Sequence, residues 1–220
     1  MATSINADNG AVSGSAGLKS SADSSGVLAL QTNGTTAISI DASQAVTMAG
    51  TLGVTGRVTK ASMPTGSVLQ VVTVGYGTNV TSTSTTYADT GLSASITPSS
   101  ASNKILVFVS QGITAAGGAS VGYGYQINAG VQLMRGATVL ITPQDDSGGK
   151  YSAGIGTGVA PASGTLVLWT IVGMNYLDSP ATTSSITYKT QFAKGTSGMG
   201  TIYANAAAGG SYITLMEIAA

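Results

Sequence analysis

The sequence has 220 residues, of which eight are basic, eight are acidic and none is Cys or His. The missing residue types exclude a disulfide framework, thiolate chemistry, and the commonest general base and metal ligand. Charged residues make up 7% of the chain, against roughly 25% in typical globular proteins, so we expect assembly into an oligomer to reduce the exposed surface.

Charge and hydropathy along the chain argue against two classes of partner. The basic residues are scattered singly, and we therefore expect no nucleic-acid binding. The longest apolar stretches, such as residues 166–174, are about nine residues long, whereas a membrane-spanning helix needs roughly 20, so we expect no membrane insertion. Residues 1–10 lack the positive and apolar regions of a secretory signal, which predicts synthesis without a Sec-type signal.

The N-terminal part of the chain is predicted to form an arm followed by a shaft. Residues 1–25 are rich in Ser, Ala, Gly, Asn and Asp without a usable period, and we expect them to order only against a partner. Residues 26–60 contain short alternating segments in which two apolar residues stand two positions apart, as in a half-buried strand. These pairs are Leu28 and Leu30, Ile38 and Ile40, Val46 and Met48, and Leu52 and Val54.

Each of these segments has too little apolar mass to form a core within one chain. Three copies wound around a common axis would supply that core and would leave no exposed strand edge, so we expect a trimeric β-shaft of the prism or β-helix type. The alternative is an ordinary β-hairpin around Asn33-Gly34, a dipeptide that favours a tight two-residue turn. A hairpin at this position could also form within a trimeric shaft.

The rest of the chain, residues 61–220, is predicted to be an all-β head. Around residues 57–66 the alternation stops, and Pro64 excludes a continuing central strand. Without an amphipathic helical window, the spacing of the later apolar runs predicts a β-sandwich or jelly roll. Gly136 stands where a tight hairpin within residues 131–140 needs a positive φ. Trp169 is expected in the core, and the alternative is that it forms a platform for a ligand. The runs are residues 68–74, 92–97, 104–113, 131–142, 166–176, 185–192 and 212–218.

The sequence offers little for catalysis. Without His, the Ser and Thr residues lack the usual base, and we do not expect a Ser-Lys dyad. Cleavage of a glycan needs two converging carboxyl groups, and the one acidic cluster, Asp145-Asp146, is better explained as a solvated turn beside Lys150. The same loop lacks the alternating acidic pattern of a calcium site. We therefore expect no enzymatic activity, no cofactor and no metal site.

Four Tyr residues lie in Gly-rich segments, where an amphipathic ring can stack on a sugar or a protein surface at low entropic cost. Together with the acidic loop they are the candidate loops for binding a receptor. The alternative is that these rings pack between protomers. The candidate residues are Tyr76, Tyr123, Tyr125, Asp145, Asp146 and Tyr151.

Several stretches carry a family resemblance. Residues 84–100 (STTYADTGLSASITPSS), 104–107 (KILV) and 213–218 (ITLMEI) resemble segments of predicted phage tail-fibre and virion structural proteins. Residues 26–36 (GVLALQTNGTT) look like the shaft-entry segment of similar proteins. Together with residues 177–180 these stretches span most of the chain, but they are strand-and-turn signatures and mark no functional site.

The resemblance implies a non-enzymatic virion structural protein, a homotrimeric short fibre or capsid-decorating knob that assembles in the host cytoplasm. Residues 1–25 would dock onto a tail or capsid protein, and the head would contact a host-surface glycan or protein or would cover the capsid. One alternative is a tailspike-like enzyme that cleaves glycans with Asp145 or Asp146 and a carboxylate from a neighbouring chain. Another is a bacterial surface adhesin, which the absent secretion signal disfavours.

Overall fold

The chain folds into β-strands, as the alternation of apolar and polar residues predicts. The computed structural model describes residues 27–51, 63–116, 128–142, 167–195, 200–205 and 210–220. Every regular element in these ranges is a β-strand, which confirms the predicted all-β class. No helix there is long and apolar enough to cross a lipid bilayer. The chain divides into two units, residues 1–58 and 59–220.

The described residues of the first unit form one antiparallel sheet of three short strands, β1 (Leu28–Thr32), β2 (Thr35–Ile40) and β3 (Val46–Met48), in that order. The predicted hairpin at Asn33-Gly34 is confirmed, because β1 pairs with β2 and the two turn residues have positive φ angles of 51° and 75°. Gly and Asn tolerate this left-handed conformation better than other residues. Beyond β2, the Asp41 carboxylate accepts hydrogen bonds from the backbone N–H groups of Ser43 and Ala45, at 2.8 and 2.9 Å, which fixes the turn into β3.

The first unit buries little apolar surface. None of its described side chains is buried, and Ile38 and Ile40 are half-buried at best. Its most exposed large apolar side chains keep between 37% and 60% of their surface accessible. These are Val27, Leu28, Leu30, Val46 and Met48. In the described residues, the three strands therefore form a sheet without a core of its own.

In its described residues the second unit contains ten strands in two sheets. They are β4 (Val68–Tyr76), β5 (Val80–Ser82), β6 (Ala88–Ile96), β7 (Lys104–Ala116), β8 (Ala129–Arg135), β9 (Thr138–Ile141), β10 (Val167–Asp178), β11 (Ile186–Lys194), β12 (Ile202–Ala204) and β13 (Ser211–Ile218). The six-stranded sheet has the order β4-β13-β7-β12-β5, with β10 also paired to β7. The four-stranded sheet has the order β6-β11-β8-β9.

The long strand β7 organises the six-stranded sheet. One edge pairs with β10 along residues 105–116, and the other pairs first with β13 and then with β12. In turn, β13 pairs with β4, and β12 pairs with β5. Because alternate residues of a strand point to opposite faces, this register assigns each residue of β7 and β10 to an inner or an outer face.

The two sheets pack face to face in a β-sandwich-like arrangement around two apolar clusters. Both clusters draw residues from both sheets. The larger includes Leu92, Ile105, Val107, Leu133, Tyr188, Ile213 and Leu215, and the smaller includes Ile113, Val131, Phe192 and Ile202. The predicted β8–β9 hairpin is also confirmed, with Gly136 in its turn at a φ of 55°.

Candidate interaction surface

The sequence predicts six contact residues, and one of them, Tyr76, lies in the described part of the chain. Tyr76 is the last residue of β4, and its half-buried ring packs against the larger apolar cluster and over Gly91 of β6. This packing holds the end of β4 against the opposite sheet, and receptor contact by Tyr76 stays a prediction. The other five lie outside the described residues: Tyr123, Tyr125, Asp145, Asp146 and Tyr151.

The expectation that Trp169 lies in the core is wrong. Its side chain is 76% exposed on the outer face of β10, next to Ile171, which is 63% exposed. Residues with even numbers in β10, such as Val172, point to the core instead. Both faces of β10 are apolar at this point, so the alternation of the sequence does not distinguish the face that packs inside the chain from the face that does not.

The exposed apolar residues continue from β10 across the sheet. In the β7–β10 register Ile171 lies opposite Gly112, and Leu177 lies opposite Leu106. The next outward rows belong to β13 and β4, where Met216 lies opposite Val71. We call this surface the apolar face and define it by six exposed large side chains: Val71, Phe108, Trp169, Ile171, Leu177 and Tyr212.

Charged side chains are almost absent from the apolar face. Among the described outward positions of β4, β7, β10, β12 and β13, Lys104 at the start of β7 carries a charge, and the remainder are apolar or neutral polar residues. An antiparallel sheet with one solvated face normally presents polar residues to water. The six-stranded sheet therefore has the composition of a sheet that is covered on both faces.

The outer face of the four-stranded sheet differs from the apolar face in carrying a paired charge. Ser95 and Thr187 form a hydroxyl–hydroxyl hydrogen bond of 2.7 Å across β6 and β11. Asp89 binds the Lys189 ammonium at 2.9 Å and accepts a hydrogen bond from the Gln191 amide at 2.7 Å. The hydrogen bond from Lys189 holds the pKa of the Asp89 carboxyl below its ordinary value. Hydroxyl groups and a paired charge are the usual composition of a solvated sheet face.

The Glu217 carboxylate is fully buried on the inner side of β13 and accepts four hydrogen bonds from other described residues. The donors are the backbone N–H and the hydroxyl of Ser99, at 2.5 and 2.6 Å, and the side-chain amides of Asn103 and Gln70, both at 2.7 Å. Burial raises the pKa of this carboxyl, but the hydrogen bonds outweigh that effect and hold the pKa at about 2. Glu217 therefore joins β4, the β6–β7 connection and β13 as a fixed anion.

A second buried carboxylate, Asp178, links the two sheets. One guanidinium nitrogen of Arg135 lies 2.8 Å from each of its oxygens, and the Tyr188 hydroxyl donates to it at 2.6 Å. Burial raises the pKa of Tyr188, and the adjacent Asp178 carboxylate raises it further. The cluster therefore keeps Tyr188 protonated and ties β10 to β8 and β11.

The described residues bring no metal-binding set together. They contain no group of three His, Cys, Asp or Glu side chains that could hold a metal ion. Glu217, Asp178 and Asp89 are each engaged by the donors given above. A cleft of about 440 Å³ beside Ser99 and Asn103 is lined by Ser, Asn, Ala, Leu and Met residues and by no acidic side chain.

No protein-family model matches the sequence, and no curated protein matches it either. The basis for a functional proposal is therefore the pair of surfaces described above, the exposed apolar residues of the first unit and the apolar face of the second.

Proposed function

We propose that the chain is a non-enzymatic structural protein of a phage particle, a homotrimeric fibre or knob. Residues 1–25 attach it to a tail or capsid protein, residues 26–60 form a trimeric shaft, and the head contacts the host surface or covers the capsid. The family resemblance of residues 84–100 and 213–218 motivates the viral context.

The observation that carries the trimer is the exposed apolar surface of the first unit. A two- or three-stranded sheet with no buried side chain is marginally stable in water. Burying the accessible part of Leu28, Leu30, Val46 or Met48 against other copies would contribute on the order of 1–2 kcal/mol for each side chain. Three copies around one axis would therefore supply the core that these strands lack and would cover their edges.

Sedimentation equilibrium of the full chain tests the trimer directly. The expected mass is three times the 21.5 kDa of one chain. Leu30→Ser, which removes an apolar side chain from the exposed surface of β1, should shift the equilibrium towards monomer. Gln31→Ser is the matched control, because Gln31 is the next residue of β1 and is polar and exposed. A well-folded wild-type monomer at micromolar concentration would refute the shaft.

Attachment to a particle requires a separate test. Antibodies against the chain should label particles of the phage that encodes it, and their position distinguishes a tail fibre from a capsid knob. Deletion of residues 1–25 should abolish incorporation while the remaining chain still folds. Incorporation of the truncated chain would refute the docking role of these residues.

The alternative of a tailspike-like enzyme depends on Asp145 and Asp146, which lie outside the described residues. It predicts that the wild-type chain hydrolyses a host-surface polysaccharide and that Asp146→Asn does not. We expect no hydrolysis by either chain.

A further inference from the structure

We propose that the apolar face of the six-stranded sheet is a second trimer interface, through which the heads of three copies of this chain contact one another. The occupant of the face is thus another copy of the chain. This inference rests on the proposed homotrimer, and it adds a contact surface that is separate in sequence from the shaft.

The size of the apolar face is the first reason for the inference. Its six defining side chains have exposed fractions between 42% and 76%. Their summed exposed area is on the order of 700 Å², which a closed ring would divide between two neighbouring heads. The largest apolar patch of a typical monomer is about 300–600 Å², so an uncovered face of this extent is unusual on a free surface.

The chemistry of the face favours a second copy over other occupants. An anionic membrane surface or a nucleic acid requires several Lys or Arg side chains, and the described outward positions offer Lys104 alone. A glycan requires accessible polar groups beside an aromatic platform. The residue opposite Trp169 is Thr114, whose hydroxyl is buried and so is not accessible to a sugar; it has no hydrogen-bond partner in the described residues. Because the face carries almost no charge, the partner surface that fits it must itself be neutral and apolar. A second copy of this chain, with a formal net charge of zero, offers such a surface.

The width of the face also fits a threefold arrangement. It crosses β10, β7, β13 and β4, a distance of roughly 15 Å at the usual strand spacing. In a closed ring each head meets two neighbours through two different patches. Trp169 and Ile171 lie at the β10 end of the face, and Tyr212 and Val71 lie at the β13–β4 end. We expect the first patch of one head to pack against the second patch of the next.

The fluorescence of Trp169 tests this interface, because Trp169 is the only Trp in the chain. In the assembled full chain its emission should be blue-shifted and protected from acrylamide quenching. On dilution to monomer the emission should shift to the red and the quenching constant should rise severalfold. A wild-type trimer with a freely quenched Trp169 would overturn the interface while leaving the shaft intact, whereas a monomer at all concentrations would remove the trimer itself. Protection that persists in the monomer would also overturn the inference, because the chain would then cover its own face.

Variants give a second readout. Ile171→Ser keeps the Trp169 reporter and should weaken trimer association by about 30-fold, the effect of losing one interface hot spot. Val139→Ser is the matched control, because Val139 is an exposed apolar residue of β9 in the other sheet, and it should change association less than about 3-fold. Circular dichroism checks that both variants fold. An equal effect of the two variants would contradict the interface, and if Ile171→Ser does not fold, the quenching of wild type still decides.

Discussion

Replacement of Glu217 by Gln should destabilise the head strongly at neutral pH. The carboxylate receives hydrogen bonds from Ser99, Asn103 and Gln70 in a site closed to water. In Glu217→Gln one of its two oxygens becomes an NH₂ group, which places a donor against the donors of its neighbours. The remaining bonds lose the charge that strengthens them.

The size of the effect follows from the pKa of Glu217. The folded pKa of about 2 lies below the ordinary value of 4.5, so the charged carboxylate stabilises the fold above pH 4.5. This contribution is lost as the pH falls from 4.5 through about 2. The difference between the two values corresponds to about 3 kcal/mol of unfolding free energy.

Urea unfolding of wild type and Glu217→Gln at pH 7, 4 and 2.5, at one fixed chain concentration, measures this contribution. We expect the variant to be less stable by about 3 kcal/mol at pH 7, and the difference to shrink towards the lowest pH. Asp89→Asn is the matched control, because Asp89 is hydrogen-bonded but its side chain is 54% exposed, and it should cost less than about 1 kcal/mol.

Two results would contradict this account of Glu217. If Glu217→Gln were as stable as wild type at pH 7, the four hydrogen bonds would not select the charged form. If the deficit stayed constant down to pH 2.5, the loss would come from packing and not from charge. In either case the low pKa would not be the origin of the stability.

Two further substitutions in the head have definite expected costs. Gly91→Ala should lower the free energy of unfolding by about 1–3 kcal/mol in urea, because Gly91 has a φ of 87° and a Cβ there would overlap the Tyr76 ring. Gly77→Ala is the control: there is open space where its Cβ would lie, and it should change the free energy of unfolding by less than about 0.5 kcal/mol. Tyr188→Phe should cost about 1.5–3 kcal/mol, because it removes a hydrogen bond to the buried Asp178 carboxylate. In an alkaline titration Tyr188 should ionise only as the head unfolds. Because its pKa is raised in the folded state, the protonated phenol stabilises the fold below pH 10, and this contribution is lost as the pH rises above 10. Phenolate formation in the folded head would contradict this.

The local features of the fold could be predicted from the sequence. Asn33-Gly34 and Gly136 mark their turns, because few other residues accept the positive φ that a tight hairpin requires. The predicted runs in the head each overlap a strand, since β-branched residues accumulate there. The strands β5 and β12 are not predicted, because neither lies in one of the longer apolar runs.

The buried polar contacts could not be predicted in the same way. Glu217 is separated by 118 positions from Ser99, and Gln70 by 147 positions from Glu217. A single sequence contains no local signal that brings such residues together, because their contact follows from the order of the strands in the sheet. The same holds for Arg135 and Asp178, which are 43 positions apart.

The apolar face, by contrast, left a signal in the sequence. Residues 166–174 form a nearly continuous apolar run, and a strand that is apolar on both sides is typical of a sheet covered on both faces. In the described part of the chain the second sheet covers one of those faces, where Val172 is buried, and leaves Trp169 and Ile171 exposed on the other. A strand that is apolar on both faces, when the chain's own second sheet covers one of them, therefore indicates an interface on the other face. If the quenching of Trp169 shows that face covered in the trimer, the composition of β10 has its physical explanation.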